Sequence, residues 1–354
     1  MSDSRFLNFV LALLAIIAIG WLLIVGRTIL LPIVTAGIAA YVVSSASATL
    51  HKRPGLRFLP LSFIRFFLLV AFAAAVVVFA AVVAGTIREI SDVVPAYQAN
   101  ITALVERITQ QFDLDSQELW DEIREATVDR IDLRQMVLSV LGGFSSVGGA
   151  VFVIILYAVF MTSERASFAP KIMAAFPDPG QAQRTLDLVS EINTKISDYL
   201  VAKTMINVAL GLISYGILWV HDVDFALFWA IMIGLLNYIP YVGSYVGVFF
   251  PVVLSLAQFG SLSLTVSLTV FLVAAQFVLG NVIEPRFIGR QINLSPLVVL
   301  IALSVWSAMW GLPGAILAVP MTSVLAIVLM SFESTRFLAV FLANTVETPA
   351  KPAK

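Results

Sequence analysis

Five polar side chains, Gln276, Asn281, Glu284, Arg286 and Arg290, fall within the stretch QFVLGNVIEPRFIGR, with long apolar runs on either side. Water-soluble domains seldom place charge this way, and charge at the edge of a bilayer span usually serves function. Glu284 is the candidate for coupling to protons or cations. Burial disfavours the charged form of a carboxylate, a nearby arginine favours it, and a proton site needs the balance near neutrality. The competing reading is a structural ion pair of Glu284 with Arg286 or Arg290 at the membrane interface. Pro285 between these charges marks a helix end, which fits both. Arg286, Arg290, Asp198 and Lys203 are further coupling candidates, the last two placed where a polar helix enters an apolar run.

Two interruptions in the apolar sequence add polar backbone to these side chains. The segment NYIPYVGSYVGVFFP at 237–251 carries two Pro and two Gly. Pro240 cannot donate a helix hydrogen bond, and Gly243 tolerates a turn. Irregular backbone is allowed at membrane depth only where protein or a water-filled cavity covers it. Asn237, Tyr241, Ser244 and Tyr245 supply hydrogen-bonding groups suited to an uncharged, hydroxyl-rich solute. The second interruption is Gly311, Pro313 and Gly314, with Pro320 following, and these are the hinge candidates. Transporters often bind cargo where helices are broken, because freed N–H and C=O groups can coordinate it. A hairpin used only for packing is the alternative.

The elements that must position these groups follow from composition. Hydrophobic residues make up 60% and charged residues 12%, against about 45–50% and about 25% in soluble domains. An all-α polytopic membrane protein is expected. A net charge of -1 and a pI near 6.1, with no Lys/Arg cluster, argue against nucleic acid as a partner. The chain has no Cys and only two His, His51 and His221. Disulfides and thiol-ligated metals are therefore excluded.

A span needs about 20 apolar residues, so the run 6–50, interrupted at Arg27, supplies two, near 7–26 and 28–49. That run is far longer than a signal-peptide core. Lys52, Arg53 and Arg57 place the following loop, and hence the N-terminus, in the cytoplasm by positive-inside bias. A third span near 62–86 completes an N-terminal part, 1–86. The stretch 88–134 holds eleven Asp/Glu against five Lys/Arg and should face outward as an extracytoplasmic segment, 87–135. Within it Ile101, Leu104, Val105, Ile108 and Phe112, then Leu119, Trp120, Ile123 and Ile131, fall at helical spacing. They predict two amphipathic helices. A fourth span, 136–162, contains the small-residue run GGFSSVGG, suited to close helix contact.

A cytoplasmic amphipathic helix over 163–200 leads into a C-terminal core, 201–340. In that core, span five near 202–220 ends at an acidic outer loop, and 225–257 is expected to form a re-entrant hairpin. A span near 262–283 returns inward, and two segments divide at Gly311. The tail, 341–354, reads as disordered and cytoplasmic. The sum is eight crossings plus one hairpin.

Catalytic signatures are lacking. There is no GxxxxGK[ST] loop, HExxH, DxDxDG or CxxC, and His51 and His221 are placed on opposite membrane faces. A Ser/Lys dyad on Lys203 is the one arrangement left open. No enzyme activity, metal or cofactor is expected.

The C-terminal half resembles the autoinducer-2 exporter family of bacterial membrane proteins. The resemblance rests on NTKISDYLVAKTMINVALGLISYGILWV, NYIPYVGSYVGVFFP, QFVLGNVIEPRFIGRQINLSPLVVL and WGLPGAILAVPMTSVL, in order over roughly 190–335. Family positions map onto Pro240, Gly243, Pro251, Gln276, Asn281, Glu284, Pro285, Gly289, Pro296, Gly311, Gly314 and Pro320. The N-terminal half agrees in layout only. The resemblance implies a secondary transporter of the bacterial inner membrane, with some members assigned to autoinducer-2 export and others to sodium or lithium/proton antiport. It also implies a homo-oligomer, with a pentamer as the expected form.

Three functions follow as expectations: export of a small polar signal, monovalent cation/proton antiport, or a non-transporting scaffold that binds a partner through 88–135. Antiport would need carboxylates near mid-membrane, and no Asp or Glu lies inside any assigned span.

Overall fold

The computed structural model describes residues 2–53, 55, 57–112, 133–288 and 293–345. The stretch around Leu119, Trp120, Ile123 and Ile131, the residues Gly289 and Arg290, and the tail beyond 345 lie outside these residues. Helices in chain order are α1 (Ser2–Val25), α2 (Arg27–His51), α3 (Leu61–Phe112), α4 (Leu133–Ala175), α5 (Pro179–Val220), α6 (Ala226–Leu236), α7 (Val242–Phe259) and α8 (Leu262–Phe277). A π-helical turn, Val278–Ile283, links α8 to α9 (Glu284–Ile288), and α10 (Pro296–Ser331) and α11 (Arg336–Leu342) complete the set. No strand occurs among the described residues.

This is an all-α polytopic membrane protein. In lipid every backbone N–H and C=O must be satisfied internally, which an α-helix does within one segment. Six of the described helices are long and apolar enough to cross, and α4, bent by 68° between Val151–Arg165 and Ser167–Ala175, makes a seventh only if the bent pair is counted as one span. Large apolar side chains such as Val77, Leu212 and Trp219 remain exposed on these helices, as suits a lipid-facing surface.

Two helices continue where the sequence pattern predicts separate elements. α3 passes its apolar part, Leu61–Thr86, and runs on to Phe112, so the first amphipathic helix is the end of α3. Of the amphipathic helix expected over 163–200, the part up to Ala175 continues α4, and the rest forms one helix with span five, α5, with Pro179 at its start. α3 continues through both Gly85 and Pro95, and the α5 junction near residue 200 contains neither glycine nor proline.

The chain divides into two units, 1–65, 152–200 and 290–354, and 66–151 and 201–289. In the first, α10 folds back on itself at Gly311, whose φ of 66° and ψ of -145° are non-helical. Trp306 Nε1 donates to Thr322 Oγ1 at 3.0 Å. In a straight helix, residues sixteen apart would be separated by about 24 Å. Gly314 packs so tightly on the Trp306 carbonyl that a Cβ would overlap it. Ser295 caps the start of α10 by accepting from the Val298 N–H, with Pro296 next to it.

In the second unit, Leu210 and Leu218 of α5, Ile233 of α6, and Leu268 and Leu272 of α8 form the buried core. Between them α6 and α7 make a helical hairpin. α6 has 11 residues, about 16 Å at 1.5 Å per residue, half of a hydrocarbon core of about 30 Å. It cannot cross. α7 returns alongside it, with Gly243 and Gly247 set against Leu236 and Ile233. Gln258, at the end of α7, bonds back to Asp222 and Asp224, just before α6. The two ends of the hairpin are therefore held together.

Candidate functional site

Lys203 and Asn207 stand four residues apart in α5, on one face of the helix. They are 4% and 3% exposed. A buried lysine must be paired, since an isolated charge costs several kcal/mol. The partner comes from the far side of the π-helical turn. π-turns are rare and recur at functional sites; the extra residue rotates everything beyond by about 100° relative to an unbroken α-helix. Glu284 follows this turn, and Lys203 Nζ donates to its Oε1 at 2.6 Å. The sequence pointed to Arg286 or Arg290 as the partner of Glu284. Instead Arg286 is exposed two positions on and Arg290 lies outside the described residues.

Next to this ion pair sits the inner end of the hairpin. Asn237 is buried there. Its Nδ2 donates to Asn207 Oδ1 at 2.8 Å, and its Oδ1 accepts from Gln276 Nε2 at 2.7 Å and Ser244 Oγ at 3.3 Å. Thr204 Oγ1 and the Tyr238 hydroxyl share a hydrogen bond of 2.7 Å. Asn207 Nδ2 lies toward the Tyr238 hydroxyl, and one acceptor is left over: Gln276 Oε1 is buried without a hydrogen-bond partner. Buried polar groups are nearly always paired, so this unpaired acceptor calls for an explanation.

The backbone at the tip is strained. Tyr241 has φ 62° and ψ -60°, and the Val242 N–H donates to the Pro240 carbonyl at 2.6 Å. This is a γ-turn of the rare, positive-φ kind, and strain of this sort clusters at gates and clamps. Gly243 follows because only glycine fits, a Cβ there overlapping the Leu236 carbonyl.

Of the residues singled out by sequence, Asn237, Ser244, Gln276, Glu284 and Lys203 come together. Pro240, Tyr241 and Gly243 shape the tip, with Tyr241 half exposed and Tyr245 77% exposed, away from the cluster. Asn281, within the π-turn, and Asp198 are exposed. Gly311, Pro313, Gly314 and Pro320 belong to the fold-back of α10 in the other unit; Gly314 and Pro320 are buried there, Gly311 and Pro313 exposed. Thr204, Asn207 and Tyr238 were missed. The signal for Asn207 was present, a polar residue one helical turn after Lys203 in an otherwise apolar run.

The opposite end of the hairpin is anchored by α3. Tyr97 donates its hydroxyl to Asp224 Oδ2 at 2.6 Å, and Asn100 Nδ2 donates to the Gln258 carbonyl. Gln258 in turn accepts from the Asp224 N–H at 2.9 Å and donates to the Asp222 carbonyl at 2.8 Å. Burial first, then the Asp224 hydrogen bond and charge, push the Tyr97 hydroxyl well above the usual tyrosine range, so it stays a donor.

A family model described as "AI-2E family transporter" matches residues 9–333 of the chain. The chain belongs to the AI-2E transporter family. Among the relatives of this AI-2E transporter, "AI-2 transport protein TqsA" of Escherichia coli strain K12 is 30% identical, over 76% of this chain and 77% of that protein. Chains named "Putative transport protein" from Haemophilus influenzae and Borreliella burgdorferi are 28% and 27% identical. They align over 73% and 71% of this chain and 75% and 68% of their own. In this AI-2E transporter the tip of the hairpin, an ion pair and a network of buried amides meet in one place.

Proposed function

We propose that the chain is a secondary transporter that exports a small, uncharged polar molecule, autoinducer-2 first among them, across the bacterial inner membrane. One observation carries this reading: Asn207, Asn237 and Gln276 form a buried network with an unpaired acceptor, Gln276 Oε1, beside the Lys203–Glu284 ion pair. A hydroxyl can donate to that acceptor, so a hydroxyl-rich solute matches it. The name of the E. coli relative TqsA supports the choice of cargo. Lys203 and Glu284 are assigned the coupling role, and the strained turn at Tyr241 the gate. The membrane orientation follows from Lys52, Arg53 and Arg57, with both termini cytoplasmic. The working unit is a homo-oligomer, a pentamer by family resemblance.

The test is flux in proteoliposomes containing purified protein and labelled autoinducer-2, with and without an imposed proton or sodium gradient. Flux above that of empty liposomes supports the reading. Sodium-driven proton movement without solute flux would replace it with cation/proton antiport, through the same Glu284.

A further inference from the structure

A cavity of about 600 Å³ lies beside the root of the hairpin, lined among others by Val82, Thr86, Glu89, Val93, Asp224 and Leu227. It is separate from the polar network at the tip. Its position along α3 is informative. The apolar part of that helix ends at Thr86, so Val82 lies one turn before that end and Glu89 and Val93 lie beyond it. The cavity therefore straddles the change from apolar to polar residues along α3, where acyl chains give way to headgroups at the end of a span.

Its chemistry is divided in the same way. Val82 and Leu227 make an apolar wall. Glu89 and Asp224 contribute two carboxylates, and no lysine or arginine is found among the described lining residues. The amino end of α6 also opens here: Ala226, Leu227 and Phe228 line the cavity, and no side chain caps this helix. The first N–H groups of a helix have no partner within it and attract anions. Thr86 is a second, independent pointer. It is 6% exposed, it faces the cavity, and no hydrogen bond of its hydroxyl is found among the described residues.

We infer that this cavity is a binding site for a zwitterionic phospholipid with a primary amine, such as phosphatidylethanolamine. The ammonium meets Glu89 and Asp224, the phosphate meets the amino end of α6 and the Thr86 hydroxyl, and an acyl chain lies along Val82 and Leu227. Each part of the lipid has a match at the right depth. An anionic lipid without an amine would set its headgroup against two carboxylates, and a simple cation would leave the helix N–H groups and the apolar wall unused. Because Asp224 also receives the Tyr97 hydroxyl, the lipid would bear on the anchor that holds the hairpin root.

The experiment is native mass spectrometry of the full chain in detergent, titrated with phosphatidylethanolamine or phosphatidylglycerol, for wild type, Glu89→Gln and Thr86→Val. Wild type is expected to retain phosphatidylethanolamine about fivefold better than phosphatidylglycerol, and each variant to lose most of that preference. N-acetylated phosphatidylethanolamine, which lacks the ammonium, should bind wild type no better than phosphatidylglycerol, a control that needs no variant. Equal retention of the two lipids by wild type would overturn the inference. So would unchanged preference in Glu89→Gln, or full retention of the acetylated lipid.

Discussion

Lys203 and Glu284 are 81 positions apart in the chain, yet Nζ and Oε1 lie at 2.6 Å. The lysine side chain is 5% exposed and the glutamate 26%, so one partner is deeply buried and the other reaches toward the surface. Glu284→Gln should therefore cost about 1–3 kcal/mol, most of it from stranding the Lys203 charge. The double variant Lys203→Met/Glu284→Leu removes both charges and should return to within about 1 kcal/mol of wild type. Thermal unfolding in detergent measures both.

Asn237 holds three partners at once. Asn237→Ala leaves Asn207, Gln276 and Ser244 without their shared hydrogen-bonding group, at a cost of about 1–3 kcal/mol. Solute flux should fall by about tenfold or more as the site loses its shape. Ser244→Ala, which removes only the longest of the three bonds, should lower flux much less. A variant at Asn237 with wild-type flux would exclude it from the cargo path.

Three glycines should respond differently to alanine. At Gly243 a methyl group overlaps the Leu236 carbonyl, so Gly243→Ala should destabilise the hairpin by about 2 kcal/mol or more. Gly311 has φ 66° and ψ -145°, a region that other residues occupy at a cost of about 1–3 kcal/mol. Gly216, in α5, has nothing within 4 Å of the place a methyl group would take; Gly216→Ala should be neutral or stabilising by up to about 1 kcal/mol. Unfolding midpoints for the three variants check the order.

Tyr97→Phe removes the hydroxyl that Asp224 accepts and should cost about 1 kcal/mol at neutral pH. Since the folded state holds the Tyr97 proton more tightly than the unfolded chain, this contribution is complete below the ordinary tyrosine pKa of about 10 and is lost as pH rises through the higher folded value. The stability gap between wild type and Tyr97→Phe should thus be constant from about pH 7 to about pH 9 and narrow above about pH 10. Denaturation at a series of pH values would show it.

Much of this was legible in the sequence because it rests on local rules. Apolar run lengths pointed to most of the long apolar helices, Pro240 and Gly243 to the hairpin tip, and Gly311 to the fold-back of α10. Glu284, Lys203, Asn237 and Gln276 stood out as polar residues among apolar ones. Their pairing was not legible. The partner of Glu284 depends on a π-turn over Val278–Ile283, and no residue type there announces a change in helical register. Nor does a periodic pattern show where helices run on, so α3 and α5 are longer than the apolar signals that reveal them. Asn207 was visible as a polar residue one turn after Lys203, but its partner was not, because the packing of α5 on the hairpin is what brings Asn237 alongside.

In the proposed mechanism the Lys203–Glu284 pair couples solute movement to an ion gradient at the hairpin tip. The most direct measurement is gradient-driven flux of labelled autoinducer-2 in proteoliposomes, comparing wild type with the folded, charge-free Lys203→Met/Glu284→Leu variant. Wild-type flux should rise when a proton or sodium gradient is imposed, while the variant should give the same flux with and without it. A variant that keeps its stability and still responds to the gradient as wild type does would contradict this mechanism.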